Sequence, residues 1–243
     1  MLQSLARLHR FTLHAQDGKL GSVEDLYFDD ARWAVRYIVL DTGGWLRGRH
    51  VLISPASITA VDWDKRTIAV ALTCDQVRNS PGPAAHQPVS RQHEAELIAY
   101  YGWPQYWTMS PFGFEPIGIP PYPPSEPLRP RGAGEADPHL RSAGEVEEYR
   151  VEGRNGPVGH VADFIFDDES WHIVFMTINA GSRLHKGLVL IKLAWIDSIS
   201  WEERHVTVYM TRKDIRSSPE FVPRFPVSPE YLDRLLAHYA RVS

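Results

Sequence analysis

Only one of the 243 residues is a cysteine, Cys74, so no internal disulfide can form and a reducing compartment is the natural setting. No stretch nears the roughly 18 consecutive apolar residues of a membrane span. Residues 1–18 lack the apolar core of about 7–15 residues that marks a secretory leader. A soluble cytoplasmic protein with no transmembrane segment is therefore expected. Net charge is -4, without the general basic excess that carries proteins onto nucleic acid, so no direct nucleic-acid contact is expected. No HExxH, GxSxG, Walker or dinucleotide-type glycine pattern occurs, and one cysteine cannot build a thiolate metal site. The sequence thus points away from an enzyme, and no cofactor and no metal is expected.

What the chain does have is an internal repeat. Residues 2–101 align on residues 140–239 without a gap at a constant shift of 138, with about 30 of about 100 positions identical. Gly18, Gly21, Asp25, Phe28, Asp29, Asp30 and Trp33 fall on Gly156, Gly159, Asp163, Phe166, Asp167, Asp168 and Trp171. A period this long exceeds the roughly 20–50 residues of a solenoid unit and equals a small domain. Cys74 falls opposite Arg212, so the shared fold does not require a thiol there.

Each copy reads as short strands separated by turns. In the first, Leu8–Leu13 alternates apolar and polar, and Gln16-Asp17-Gly18-Lys19 reads as a hairpin turn with Gly18 at positive φ. Gly21–Phe28 is a second strand whose change of phase between Val23 and Leu26 predicts a bulge. Asp29-Asp30 is a turn, and Ala34–Leu40 is an apolar third strand. His50–Ile53, Ile58–Trp63 and Thr67–Leu72 follow. About six strands in some 70 residues suggest closure into a small barrel, which removes exposed edges. The shared carboxylates Asp25, Asp29, Asp30, Asp163, Asp167 and Asp168 read as turn builders rather than a cation site, since Asp in a turn bonds its own backbone.

After each set of strands comes a short helix. Ser228-Pro229-Glu230 supplies an N-cap hydroxyl and proline at the first helical position. Leu232, Leu235, Leu236 and Tyr239 then share one face, matched in the first copy by Glu94, Leu97, Ile98 and Tyr101. Between the copies, Gly102–His139 holds about ten prolines, a density that favours extended backbone. Five aromatic rings crowd into Tyr100–Trp107, which suits either packing on the strands or a docking patch. The expected layout is a barrel over 1–82, a helix over 88–102, an aromatic and Pro-rich linker over 103–139, a second barrel over 140–220 and a C-terminal helix over 226–240.

The run from Asp17 to Asp30, with Trp33 and Tyr37–Gly43, resembles the PRC-barrel family. So do the unit ends Val77–Pro81 and Ile215–Pro219. The family includes the cytoplasmic domain of the photosynthetic reaction-centre H subunit and the C-terminal domain of the RimM ribosome-maturation factors. The resemblance implies a mainly β fold of two PRC-like barrels in tandem, each followed by a short helix. It also implies a non-catalytic module that docks on other proteins. Two departures limit it: the H subunit has a membrane-spanning helix, and RimM carries a different N-terminal domain.

Two loops and the connector supply the candidate contacts. Arg47, Arg49 and His50 in the first copy, and Arg183, His185 and Lys186 in the second, sit in glycine-containing loops suited to a carboxylate, phosphate or acidic protein surface. Trp103, Tyr106 and Trp107 are the candidate docking aromatics. The functional expectation is a protein-binding adaptor or assembly factor whose partner is unidentified, with a homodimer compatible with the duplication. The alternative is a ribosome- or RNA-associated maturation factor of RimM-like type.

Overall fold

A computed structural model describes residues 1–43, 46, 51–81, 91–104, 139–181 and 187–241. The fold is mainly β and divides into two compact units. The first comprises Leu8–Arg141; the second comprises Met1–Arg7 together with Ser142–Ser243. That division departs from the repeat boundaries in two respects. Leu140 and Arg141 of the second repeat fall in the first unit. β1 (Leu2–Ser4), which belongs to the first repeat by sequence, pairs inside the second unit.

The first unit contains β2 (Thr12–His14), β3 (Lys19–Asp29), β4 (Ala34–Asp41), β5 (Val51–Ile53), β6 (Ile58–Asp62) and β7 (Thr67–Val70). They run in the order β5-β4-β3-β2-β7-β6, and β8 (Leu140–Ser142) joins on β3. The β2–β7 ladder is parallel, while the other ladders of known register are antiparallel. Expected closure into a barrel is not seen: no ladder joins β5 to β6 among the described residues. Instead a three-residue 3-10 turn, Pro55–Ser57, carries the chain from one end of the path to the other. Leu13, Leu20, Phe28, Ile38, Ile53 and Ile68 are fully buried, as alternation along the strands requires. Residues 8–11 leave the expected first strand because Ala6–Leu8 is a 3-10 turn and Arg10 adopts a left-handed φ of 65°.

α1 (Cys74–Arg78) is held by a capping box: Thr73 Oγ1 accepts from Gln76 N, and the Gln76 side chain accepts from Thr73 N. α2 (Arg91–Tyr101) buries Glu94, Leu97 and Ile98. Glu94 is fully buried because Arg36 of β4 donates to it, and Arg36 also reaches Asp29 at 3.4 Å.

The second unit repeats this order. α3 (Ala143–Val146) precedes β9 (Arg150–Gly153), β10 (Gly156–Asp167), β11 (Ile173–Asn179), β12 (Leu188–Lys192), β13 (Ile196–Ser200) and β14 (His205–Val208). The path is β12-β11-β10-β9-β14-β13, with β1 added on β10. α4 (Arg212–Arg216) has the same capping box, formed by Thr211 and Asp214. α5 (Pro229–Tyr239) starts at Ser228, whose Oγ accepts from Tyr231 N at 3.3 Å. Its buried stripe is Tyr231, Leu235 and Tyr239, while Leu236 is 42% exposed. The expected apolar face is therefore rotated by one position: Tyr239 packs at a tilt on Trp195 with ring centroids 4.2 Å apart, and the Tyr231 hydroxyl donates to Pro219 O.

Backbone geometry follows the duplication. Among the described residues the left-handed non-glycine ones are Arg10, Trp33, Arg66, Glu148, Trp171 and Arg204, three pairs at the shift of 138. Gly21 and Gly159 mark a close approach: an added Cβ would lie 2.3 Å from Asp41 O and 1.9 Å from Asn179 O. Gly18 does not adopt the positive φ expected of it, whereas its counterpart Gly156 does, at 123°. The first hairpin accommodates Gly18 close to Cys74, with an added Cβ at 3.2 Å from Sγ.

Candidate functional site: the receiving edges of β3 and β10

The long strand of each unit is shared end to end. The first half of β10 pairs with β9 and its last three residues pair with β1, in the register Leu2↔Asp167, Gln3↔Phe166, Ser4↔Ile165. In the first unit β3 pairs with β2 and then with β8. The shared carboxylates cluster at these receiving edges.

The predicted bulge sets them up. Glu24 is the extra residue between Val23 and Asp25 on β3, and Ala162 is the extra residue between Val161 and Asp163 on β10. A bulge re-aims the side chain that follows it. Asp25 and Asp163 each accept from the next backbone N–H, Leu26 N and Phe164 N, at 2.7 Å. Asp163 also accepts from Ala6 N at 3.1 Å through Oδ1 and from Ser4 Oγ at 2.5 Å through Oδ2. Burial pushes the Asp163 carboxyl above its ordinary value, against the three donors that lower it.

The Asp-Asp turns hold the incoming strand by its backbone. Asp168 N donates to Met1 O at 3.0 Å, and Asp30 N donates to His139 O at 2.9 Å. Asp30 further accepts from Arg141 Nε at 2.9 Å and lies 2.8 Å from His139 Nδ1. Burial raises its carboxyl despite these two partners. The first aspartate of each turn builds the turn itself. Asp29 Oδ1 accepts from Ala31 N and Arg32 N, and Asp167 Oδ2 accepts from Ser170 N and Oγ. Trp33 and Trp171 then close the turns in left-handed conformation and pack on Phe28 and Phe166 at 5.5 and 5.2 Å.

Beside Asp163 lies a cavity of about 320 Å³ within the second unit, lined by Ser4, Arg7, Thr177, Phe221 and Phe225 among others. Arg7 lies over the Phe225 ring at 5.1 Å and donates to Gln3 Oε1. Asp163 has three donors, two of them from the Ser4–Ala6 segment and one from Phe164 of its own strand. Among the described residues no three of His, Cys, Asp and Glu converge as a metal would require. Burial and the Asp17 carboxylate beside it push the Cys74 thiol up, which disfavours the nucleophilic thiolate.

Arg47, Arg49, His50, Arg183, His185 and Lys186 lie outside the described residues, as do Tyr106 and Trp107. Trp103 is described and is 8% exposed. Its indole N–H donates to Ser57 Oγ at 2.6 Å, and its ring stacks on Tyr101 at 4.3 Å. Trp103 is thus a packing anchor of the first unit, not an open contact. The strand-receiving role of Asp30 and Asp163 was not foreseen, although both stand among the residues shared by the repeats.

Comparison with known families identifies one domain. Residues 13–76, spanning β2 to α1, match the PRC-barrel domain. The first unit contains a PRC-barrel domain. No curated protein matches the chain. The PRC-barrel match covers the first unit's bulge, Asp-Asp turn and capped helix. The second unit has the same strand order, bulge and turn. No helix among the described residues is long and apolar enough to cross a membrane.

Proposed function

We propose that the protein is a non-catalytic adaptor or assembly factor, made of two PRC-barrel units and acting in the cytoplasm on a protein partner. The observation that supports this most is the use made of the buried carboxylates. Asp163 and Asp30, the groups best suited by burial to acid–base work, are engaged by donors that hold β1 and β8. A carboxyl that secures a strand already has a structural use for its acceptor oxygens. The second unit, sharing strand order and turn chemistry, reads as a second PRC-barrel copy, and two units in one chain raise the effective concentration at a bivalent partner.

The contacts assigned to this role are Arg47, Arg49, His50, Arg183, His185 and Lys186, joined by Tyr106 and Trp107. The test is affinity capture with the full chain against a variant carrying glutamine at Arg47, Arg49, Arg183 and Lys186. The expected result is a salt-sensitive partner, confirmed by reciprocal capture, that the variant loses with its melting temperature unchanged. Capture of a ribosomal protein or co-sedimentation with ribosomal subunits at low salt would replace the general adaptor role with the RimM-like one. Equal capture by both forms would overturn the assignment of these residues.

A further inference from the structure

We propose that a second copy of this chain is a binding partner through strand exchange, with β1 of one copy completing β10 of the other. This stands apart from the adaptor reading and does not depend on it.

Three observations carry the proposal. The receiving edge of each long strand is filled by the short strand of the opposite repeat, Leu2–Ser4 on β10 and Leu140–Ser142 on β3. A repeat therefore does not furnish its own edge strand. The contacts that hold β1 are also local to the edge. They include the three-residue register, Ser4 Oγ and Ala6 N on Asp163, Leu5 N on Phe164 O, Val227 N on Leu2 O, Asp168 N on Met1 O and the Met1 amino group on Asp167. None depends on the connector, so the same bonds form whichever copy supplies the strand. Third, side-chain chemistry at the first unit's edge selects the opposite repeat's strand. Asp30, with its side chain 9% exposed, takes Arg141 and His139. A strand from its own repeat would place Gln3 and Met1 at those positions, leaving the carboxylate without its guanidinium.

An empty edge is not a stable alternative. Gln3, Ser4 and Leu5 are each 2% exposed, and removing β1 uncovers the Asp163 carboxyl and three backbone groups. Exchange of an identical element between copies preserves these contacts and is a low-cost route to a dimer. Covalent linkage within one chain keeps each strand near its own partner at an effective concentration of order millimolar. The chain is accordingly self-completed at micromolar concentration, and dimers form when strands are released at high concentration.

The test uses full-length chains with Cys74→Ser. One variant carries Leu2→Cys, a second Asp167→Cys, and a third carries both. Oxidation of the double variant should yield a monomer closed by an internal disulfide. The two single variants, unfolded and refolded together, should yield a disulfide-linked heterodimer whose share rises about tenfold for each tenfold rise in protein concentration. The same variants mixed after folding should not cross-link. Wild-type chains carrying two different tags, co-refolded and captured through one tag, repeat the measurement without altering the edge. An absence of co-refolded heterodimer in both formats overturns the proposal. So does equal cross-linking of copies mixed after folding, and so does a double variant that fails to close internally.

Discussion

Arg36 donates through Nη2 to the Glu94 carboxylate, with 3% and 0% of the two side chains exposed. The corresponding residues of the second repeat are Val174 and Leu232. The duplication thus has a buried ion pair in one copy and apolar residues at both positions in the other. Removing one partner of a buried pair strands a charge, whereas replacing both with apolar residues is often neutral. Arg36→Val alone or Glu94→Leu alone should cost about 3–5 kcal/mol in denaturant unfolding. The double substitution should recover most of that loss.

Asp163 gives a pH signature. Its folded-state carboxyl is raised by burial, so the folded protein holds a proton that the unfolded chain releases at the ordinary carboxyl value. Its contribution to stability is fully present below that value and is lost as pH rises through the folded-state value. Asp163→Asn keeps acceptors for Ala6 N and Phe164 N and can donate to Ser4 Oγ, so its stability should be flatter with pH across that interval. Asp163→Ala leaves these donors unpaired and should cost about 1–3 kcal/mol. Denaturation midpoints across the acid range separate the three proteins.

At the other receiving edge, Arg141→Gln installs the side-chain type present at Gln3. Asp30 then loses the guanidinium bond at 2.9 Å, and β8 should open more often. Losing a charge-assisted bond of about 1.5–3 kcal/mol predicts faster amide exchange, by about tenfold or more, at Asp30, whose N–H donates to His139 O. Hydrogen-exchange mass spectrometry over residues 28–33 reads this directly.

The glycines divide by mechanism. Gly21→Ala and Gly159→Ala would drive a Cβ into carbonyl oxygens at 2.3 and 1.9 Å, and each should cost about 3 kcal/mol or more. Gly18→Ala meets only Cys74 Sγ at 3.2 Å and should cost less than about 1 kcal/mol. Melting temperatures of the three variants provide the check.

Much of the fold was readable because strand alternation and turn residues act locally. The phase change after Val23 marked the bulge, and the hydroxyl and proline at Ser228-Pro229 marked the start of α5. The trade of edge strands between the two repeats was not readable. An alignment at constant shift gives Leu2 and Leu140 the same position whichever edge each one covers, so the pattern is blind to the trade. Helix α5 turned by one position because Tyr231 and Tyr239 bury ring area while keeping a hydroxyl, which a count of leucines does not weigh. Of the candidate contacts, Trp103 had two uses open to it, and a single acceptor, Ser57 Oγ, decides for packing.

The left-handed residues carry a practical consequence. Arg10, Glu148 and Arg204 are exposed and pay the steric penalty of that conformation, about 1–2 kcal/mol for a residue with a Cβ. Asparagine tolerates the same backbone through its short polar side chain. Swapping it in at these three sites offers a route to a hardier protein, raised in melting point without touching either core.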